Sequence, residues 1–521
     1  MAKQLNWEPG TTYKDWLLLP GRIKSGVGPD DVDLRSPITR YSSPQKTELD
    51  VNDLPEDVFV LNVPLLSAPM QSVTGADMSI ELAKTGGLGV IYCSQPVGDE
   101  ARMVAEVKRY KAGFVTPDVF SPKTPIPVIA RHTHEKGYST FPITHNGKPD
   151  GRLLGLITRK DFSEQKHANL TAGDRMVPLK DLVAPEESKI GGDLGKANDI
   201  LEDSHHGAMP IVDRQGHLKY MVFRKDIEHH RKNPLELVDK NKRYKVGAAI
   251  NTKDYRRRVP ALIDAGADIL FVDSSQGFSD YQAETMRYIR RNFPEIPFIG
   301  GNVVTEEGFY FLVENGAWGV KIGMGPGSIC TTREKFRMGR AQATAVIKIN
   351  EARMEYLQKE GIYVPIIPDG GIVTNDDIWV AGALGGDAGM AGRFFARFEE
   401  SPTERIELKK VRDGRTYTAD MKPYWGEGSE RAKRWRKKRY DQSDESEGIE
   451  GWAQYAGDLN DPKGMPRVIN SIRTALHKGG YASMQDLHRN AVLERESESS
   501  RAEGRPHDVG GPEEWSNYTV W

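Results

Sequence analysis

The sequence predicts an α/β chain built as a (β/α)8 TIM barrel with a second domain inserted into it, and three observations carry that prediction. Short, almost wholly apolar, β-branched segments alternate with helical patterns, which is how parallel strands covered by helices read. Each apolar segment ends in small or polar residues, as in a barrel whose active site lies on the loops after its strands. The alternation stops near residue 97 and resumes near residue 236, and the stretch between repeats internally.

The strands follow in order. PLLSAPM (64–70) and GLGVIY (87–92) flank SIELAKTGG, whose apolar residues fall at helical spacing before a glycine stop. After the interruption come KVGAAI (245–250), ADILFVDSS (267–275), PFIGGNV (297–303), WGVKIGMG (318–325), VPIIPDGG (364–371) and DAGMAGR (387–393). Eight such segments suggest a closed barrel; an open doubly wound sheet is the other arrangement they permit. The chain therefore divides into the first part of a barrel (1–96), an insert (97–235), and the rest of the barrel (236–521), with a flap at about 424–451 and a C-terminal tail.

Within the insert, FPIT (141–144) leads into LLGLITRKDF, and MPIV (209–212) leads into LKYMVFRKDI. The paired RKD triplets, starting at Arg159 and Arg224, each close an apolar strand. The two copies resemble a tandem CBS (Bateman) pair, which implies a site for an adenine or guanine nucleotide; a structural or oligomerising insert is the plainer reading of the residues alone.

Composition sets the bounds. With 521 residues, 38% hydrophobic, 28% charged and a formal net charge of −2, the chain reads as a soluble protein of several domains without a general basic surface, so nucleic acid is not an expected partner. Two cysteines cannot build a disulfide framework, which points to a reducing compartment. MAKQLNWEPGTTYKDW has no apolar signal core and no stretch approaches membrane-spanning length, so the expectation is a cytoplasmic protein without membrane partners. Past residue 400 the barrel pattern ends. KRWRKKRY (433–440) followed by DQSDESE reads as a solvated flap, and the polar C-terminal residues read by composition as a disordered tail.

The chemistry centres on GMGPGSICTTRE. A thiol nucleophile must be accessible and partly ionised, and a glycine-rich loop exposes backbone N–H groups that favour a thiolate. Cys330 has that setting, whereas Cys93 ends an apolar strand and reads as a small buried residue. Alone, Cys330 fits a structural or a catalytic role equally. Glycines after the seventh and eighth strands, with Arg393, mark where this barrel holds phosphate, and Asp369 beside them suits a pair of ribose hydroxyls. Thiol, phosphate grip and ribose carboxylate together suggest covalent attack on the base of a nucleotide.

Through DWLLLPGR, SAPMQSVT, VDSSQGFS, IGGNVVT, GMGPGSICTTRE, PDGGI, GRFFARFEESPT, YWGEGSERA and EGRPHDV, the chain resembles the inosine-5′-monophosphate (IMP) dehydrogenase/GMP reductase family over nearly its whole length. The resemblance implies NAD-dependent oxidation of IMP to XMP in guanine nucleotide biosynthesis: Cys330 attacks C2, hydride passes to NAD, and water hydrolyses the thioimidate. It places Ser328, Gly370, Gly371, Gly392, Arg393 and Tyr424 on the phosphate, Asp369 on the ribose, and Met70 on the hypoxanthine. Glu447 accepts from N1–H, and Gly426, Glu427 and Gly428 complete the substrate side. Asp273, Ser274, Ser275 and Asn302 line the NAD site beside Gly323 and Gly325. Arg439 and Tyr440 match the family's water-activating pair, and Thr332 either relays protons or holds the loop. The resemblance also implies a potassium ion held by carbonyls of Gly323, Gly325 and Cys330, completed by Glu503, Gly504 and Arg505 of a neighbouring chain. It therefore implies a homotetramer and an ordered tail.

The chain departs from the family at Gln71, where an acid is usual, at Arg505, where a second glycine is usual, and at Lys321, where some members carry arginine. Only DQSDES separates Tyr440 from Glu447, a short flap. The other readings are a GMP reductase, which typically lacks the Arg–Tyr pair, and a catalytically silent nucleotide sensor, which has no need of the thiol.

Overall fold

The computed structural model describes residues 8–110, 118–136, 139–191, 193–204, 206–224, 234–412, 415–436 and 446–505. Eight parallel strands form its centre: β1 (Leu65–Ser67), β2 (Leu88–Ile91), β3 (Gly247–Ile250), β4 (Ile269–Val272), β5 (Phe298–Val303), β6 (Gly319–Ile322), β7 (Ile366–Pro368) and β8 (Gly389–Ala391). They lie in the order β7-β6-β5-β4-β3-β2-β1-β8. A parallel bridge between Asp369 and Met390 joins the two ends of that order, with Gly370 N–H donating to Met390 O at 3.1 Å. The (β/α)8 barrel is therefore the fold, and the open sheet is excluded.

Every residue of the eight strands is buried, which explains why the segments are apolar throughout rather than alternating. Alternate side chains fill the barrel interior, and the others meet the surrounding helices. Glycine is required where a helix comes closest: a Cβ on Gly89 of β2 would lie 2.5 Å from Ser79 Cα in the helix Ala76–Lys84.

The helix Val97–Arg109, which the sequence reading assigned to the insert, packs on the barrel. Val104 and Val107 belong to the barrel core, and Glu100 is buried in an ion pair with Arg258 of the helix Tyr255–Asp264. Arg258 also bonds Asp254 and the Gln95 carbonyl, so the guanidinium has several acceptors, while Glu100 Oε1 has no described partner and burial holds that carboxyl's pKa well above the ordinary value. The return is fixed by Asn62 Nδ2, which donates to Leu235 O at 2.9 Å and Glu236 O at 3.1 Å.

Between these points lie two similar αβ units. Helix Ile126–Lys136 accompanies the hairpin Thr140–Thr144/Leu153–Thr158, and helix Leu194–Asp203 accompanies Ala208–Val212/Leu218–Phe223. Each has its own small core, one around Phe141 and Ile157, the other around Ile211 and Val222. Lys225 and Asp226 of the second RKD triplet lie outside the described residues.

Beyond residue 400 the chain is more structured than its composition suggests. Ile406–Arg412, Arg415–Trp425 and Glu450–Gln454 form an antiparallel sheet. The tail pairs Leu493–Arg495 with Trp16–Leu18 and ends in the helix Glu498–Glu503, so disorder is not its state through residue 505. Among the described residues no helix is long and apolar enough to cross a membrane.

His488 pins the C-terminal helices beneath the barrel. Its Nδ1 lies 2.9 Å from Glu48 Oε1 and its Nε2 lies 3.0 Å from Gly386 O, two acceptors that together require both ring nitrogens to carry protons. Burial alone would push the imidazole pKa down, but Glu48 and, behind it, Asp387 outweigh burial and hold it above the ordinary histidine value. Because the folded pKa is raised, the stabilisation is fully present below the unfolded value of about 6.5 and is lost as pH rises through the folded one. Comparing unfolding free energies of the parent and His488→Asn should show a gap of about 2 kcal/mol at low pH that narrows as pH rises. A gap that widens with rising pH would contradict a protonated His488.

Candidate active site

A cleft of about 520 Å³ opens at the C-terminal ends of the barrel strands. Its floor is organised by Lys321 of β6, which is 2% exposed. The ammonium donates to Asp273 Oδ1 after β4 (2.8 Å) and to Asp369 Oδ2 after β7 (3.0 Å), while Asn302 Nδ2 of β5 donates to the same Asp369 oxygen (2.9 Å). Burial would lower the lysine pKa, yet the two carboxylates more than reverse it, so the pKa is raised and the group stays charged. All the described hydrogen bonds to the Asp369 side chain fall on Oδ2, leaving Oδ1 to accept from a ligand.

Cys330 lies exposed on the loop after β6. Its Sγ donates to Thr332 Oγ1 at 3.3 Å, and Thr332 Oγ1 donates to Glu447 Oε2 at 2.9 Å. Two backbone bonds lock this arrangement: Thr331 N–H to Glu447 O at 3.0 Å and Ile449 N–H to Ile329 O at 3.0 Å. Glu447 N–H donates to Gly428 O at 3.0 Å, and Ser446 Oγ to the same carbonyl at 3.0 Å, so Gly428 and the returning segment meet at the thiol loop. The arrangement can carry a proton away from sulfur.

Tyr424 is buried, which raises its pKa, and it hydrogen-bonds Ser328. A Cβ on Gly392 would meet Tyr424 Oη at 2.8 Å and Met70 Sδ at 3.0 Å, so any larger residue would displace these two side chains. Gly370 and Gly371 hold φ of 93° and 81°, the left-handed region that other residues avoid. Asn302 Oδ1 is buried without a partner among the described residues. The carbonyls of Gly323, Gly325 and Cys330 accept no described backbone hydrogen bond, which suits a cation cage.

The cleft thus brings together Met70, Asp273, Ser274, Ser275, Asn302, Gly323, Gly325, Cys330, Thr332, Asp369, Gly370, Gly392, Tyr424, Gly426, Glu427, Gly428 and Glu447. Ser328 and Gly371 adjoin it in sequence, and Arg393 opens the short helix after β8. Glu503 ends the helix Glu498–Glu503, which Arg501 ties to Asp15; Gly504 and Arg505 follow it, and none of the three is among the residues lining the cleft. Arg439 and Tyr440 lie outside the described residues. Sequence reasoning missed Ser94 after β2, Asn251 and Lys253 after β3, and Lys433 from the basic run, all of which line the cleft. The strand-end rule that located Asp273 would have located the first three as well.

The family model for the IMP dehydrogenase / GMP reductase domain matches residues 10–507. An inosine-5′-monophosphate dehydrogenase from Tritrichomonas foetus is 40% identical over 522 residues, covering 98% of each chain. One from Toxoplasma gondii is 39% identical over 424 residues, covering 81% of this chain and 70% of its own. Among solved structures, a GMP reductase from Trypanosoma brucei in complex with guanosine 5′-monophosphate superposes with a TM-score of 0.80 at 26% identity, covering 96% of this chain and 98% of its own.

Replacing Lys321 by methionine would leave Asp273 and Asp369 without their shared countercharge. Unfolding free energy measured in denaturant should fall by about 3 kcal/mol. Unchanged stability would show that the two carboxylates do not depend on it.

Proposed function

The chain belongs to the IMP dehydrogenase/GMP reductase family, and we propose that it acts as an NAD-dependent IMP dehydrogenase that oxidises IMP to XMP through a covalent bond to Cys330. The observation that carries this reading is the path from Cys330 Sγ through Thr332 to Glu447 in the mouth of the barrel. The two cysteines are free, which supports a reducing, cytoplasmic setting.

Phosphate is gripped by Ser328, Gly370, Gly371, Gly392, Arg393 and Tyr424. The Tyr424 hydroxyl, bonded to Ser328, gives the grip a rigid wall. Asp369 Oδ1 accepts from the ribose hydroxyls while Oδ2 stays bound to Lys321 and Asn302. Met70 packs on the purine. Glu447 keeps Oε1 for N1–H because Oε2 is taken by Thr332.

As Cys330 adds to C2, its proton passes to Thr332 Oγ1 and the Thr332 proton passes to Glu447 Oε2, which leaves a thiolate to form the C–S bond. Asp273, Ser274, Ser275 and Asn302 would hold NAD, which would supply the acceptor for the hydride on C2. Arg439 and Tyr440 then activate the water that cleaves the thioimidate. A potassium ion, held by the carbonyls of Gly323, Gly325 and Cys330 and by the Glu503–Arg505 segment of a neighbouring copy in a homotetramer, would fix the shape of the thiol loop. The insert, with two αβ units that each have a core, acts as a CBS pair for an adenine or guanine nucleotide.

The parent chain should reduce NAD with IMP and yield XMP. Reoxidation of NADPH with GMP, and silence with IMP, would instead assign the reductase reaction. Cys330→Ser should keep IMP affinity and lose turnover by at least about a thousandfold, because a serine hydroxyl has no comparable ionised fraction at neutral pH. A variant retaining a large share of the rate would remove covalent catalysis from the account.

Losing Arg439 should slow hydrolysis far more than hydride transfer. In rapid mixing, Arg439→Ala should give an NADH burst near one per active site and then stall; loss of the burst itself would show that Arg439 acts earlier.

A further inference from the structure

Gln71, in the loop after β1, has no part in the roles above, yet it joins three separate pieces of the cleft. Its backbone N–H donates to Glu427 Oε1 at 2.7 Å. Its side-chain Oε1 accepts from the Trp425 indole N–H at 3.1 Å, and its Nε2 donates to Ser94 O, after β2, at 3.3 Å. The next residue, Ser72, donates through Oγ to Trp425 O at 3.1 Å and accepts from Trp425 N–H at 3.3 Å. Trp425 is 8% exposed and lies under the Arg431 guanidinium, 4.0 Å from its ring centre. Met70 immediately precedes Gln71, and Gly426–Gly428 immediately follow Trp425.

We propose that Gln71 is a positioning residue for the purine, fixing Gly426–Gly428 relative to Met70 by clamping Trp425 and Glu427. The inference rests on the IMP reading of the same cleft. An amide is the group the geometry demands, since it must accept from an indole N–H and donate to a peptide carbonyl at once. A carboxylate has only acceptors; it would face the Ser94 carbonyl and add a charge beside Glu427.

The test uses the full-length chain carrying Gln71→Leu, Gln71→Glu, Trp425→Phe or the double substitution Gln71→Leu/Trp425→Phe. KM for IMP and kcat are measured across pH, together with the thermal midpoint. Gln71→Leu removes both side-chain hydrogen bonds, to Trp425 and to the Ser94 carbonyl, and should raise KM for IMP about tenfold with the midpoint nearly unchanged. The double substitution should be no worse than the worse single one. Gln71→Glu should be impaired at neutral pH and recover as pH falls through the pKa of the introduced carboxyl, about 4.3 in a free side chain, where it gains a proton to donate. An unchanged KM in Gln71→Leu, additive effects with Trp425→Phe, or a pH-independent deficit in Gln71→Glu would each overturn the proposal. If the parent chain does not turn over IMP with NAD, the dehydrogenase reading falls instead, and the same variants are scored on GMP with NADPH.

Discussion

A lysine ammonium that is 2% exposed cannot stand alone, and the mouth of this barrel is arranged around meeting that requirement. Lys321 of β6 draws Asp273 from the end of β4 and Asp369 from the end of β7 to within 3.0 Å, and Asn302 of β5 joins through Asp369. Four strand ends are thereby held in one hydrogen-bonded group. Strands in a barrel are already fixed by their neighbours' ladders. The buried charge adds what ladders cannot, a defined side-chain geometry at the open end. It leaves one Asp369 oxygen without a described partner, and Asp369 lines the cleft.

The thiol loop is fixed from the other side. Cys330 follows β6, but the carboxylate that receives through Thr332 comes from Glu447, more than a hundred residues later and beyond the barrel. The bridge between Cys330 and Gly448 makes the loop and that returning segment one backbone unit. Thiol and carboxylate therefore come from different parts of the chain yet cannot separate without breaking backbone bonds. The segment between Gly428 and Ser446 is thereby tied at both ends beside the thiol loop. Gln71 and Ser72 extend the same device to the opposite wall, where Trp425 is held by side chains from the loop after β1.

The barrel was legible because strands buried on both faces must be apolar along their whole length, and all eight segments read from the sequence coincide with barrel strands. The polar residues at their ends were legible for the same reason. Three things were not. The helix Val97–Arg109 begins at the expected boundary but carries Val104 and Val107 into the barrel core, and only the buried Glu100–Arg258 pair reveals its allegiance. The sheet from Ile406 to Gln454 was hidden by its charges, although Ile406 and Leu408 alternate with polar residues and Asp413–Gly414 is a hairpin signal. The partners of Gln71 could not be read at all, because Trp425 and Ser94 meet it only through the fold.

The central claim is that Cys330 bonds to the purine during turnover. The most direct test mixes the chain with IMP labelled in its purine ring and NAD, quenches in acid within the first turnovers, and maps the label by peptide mass analysis. The account predicts label on the peptide containing Cys330, dependent on NAD and absent from a chain lacking that thiol. XMP formed at the normal rate with no label retained on any peptide would contradict it.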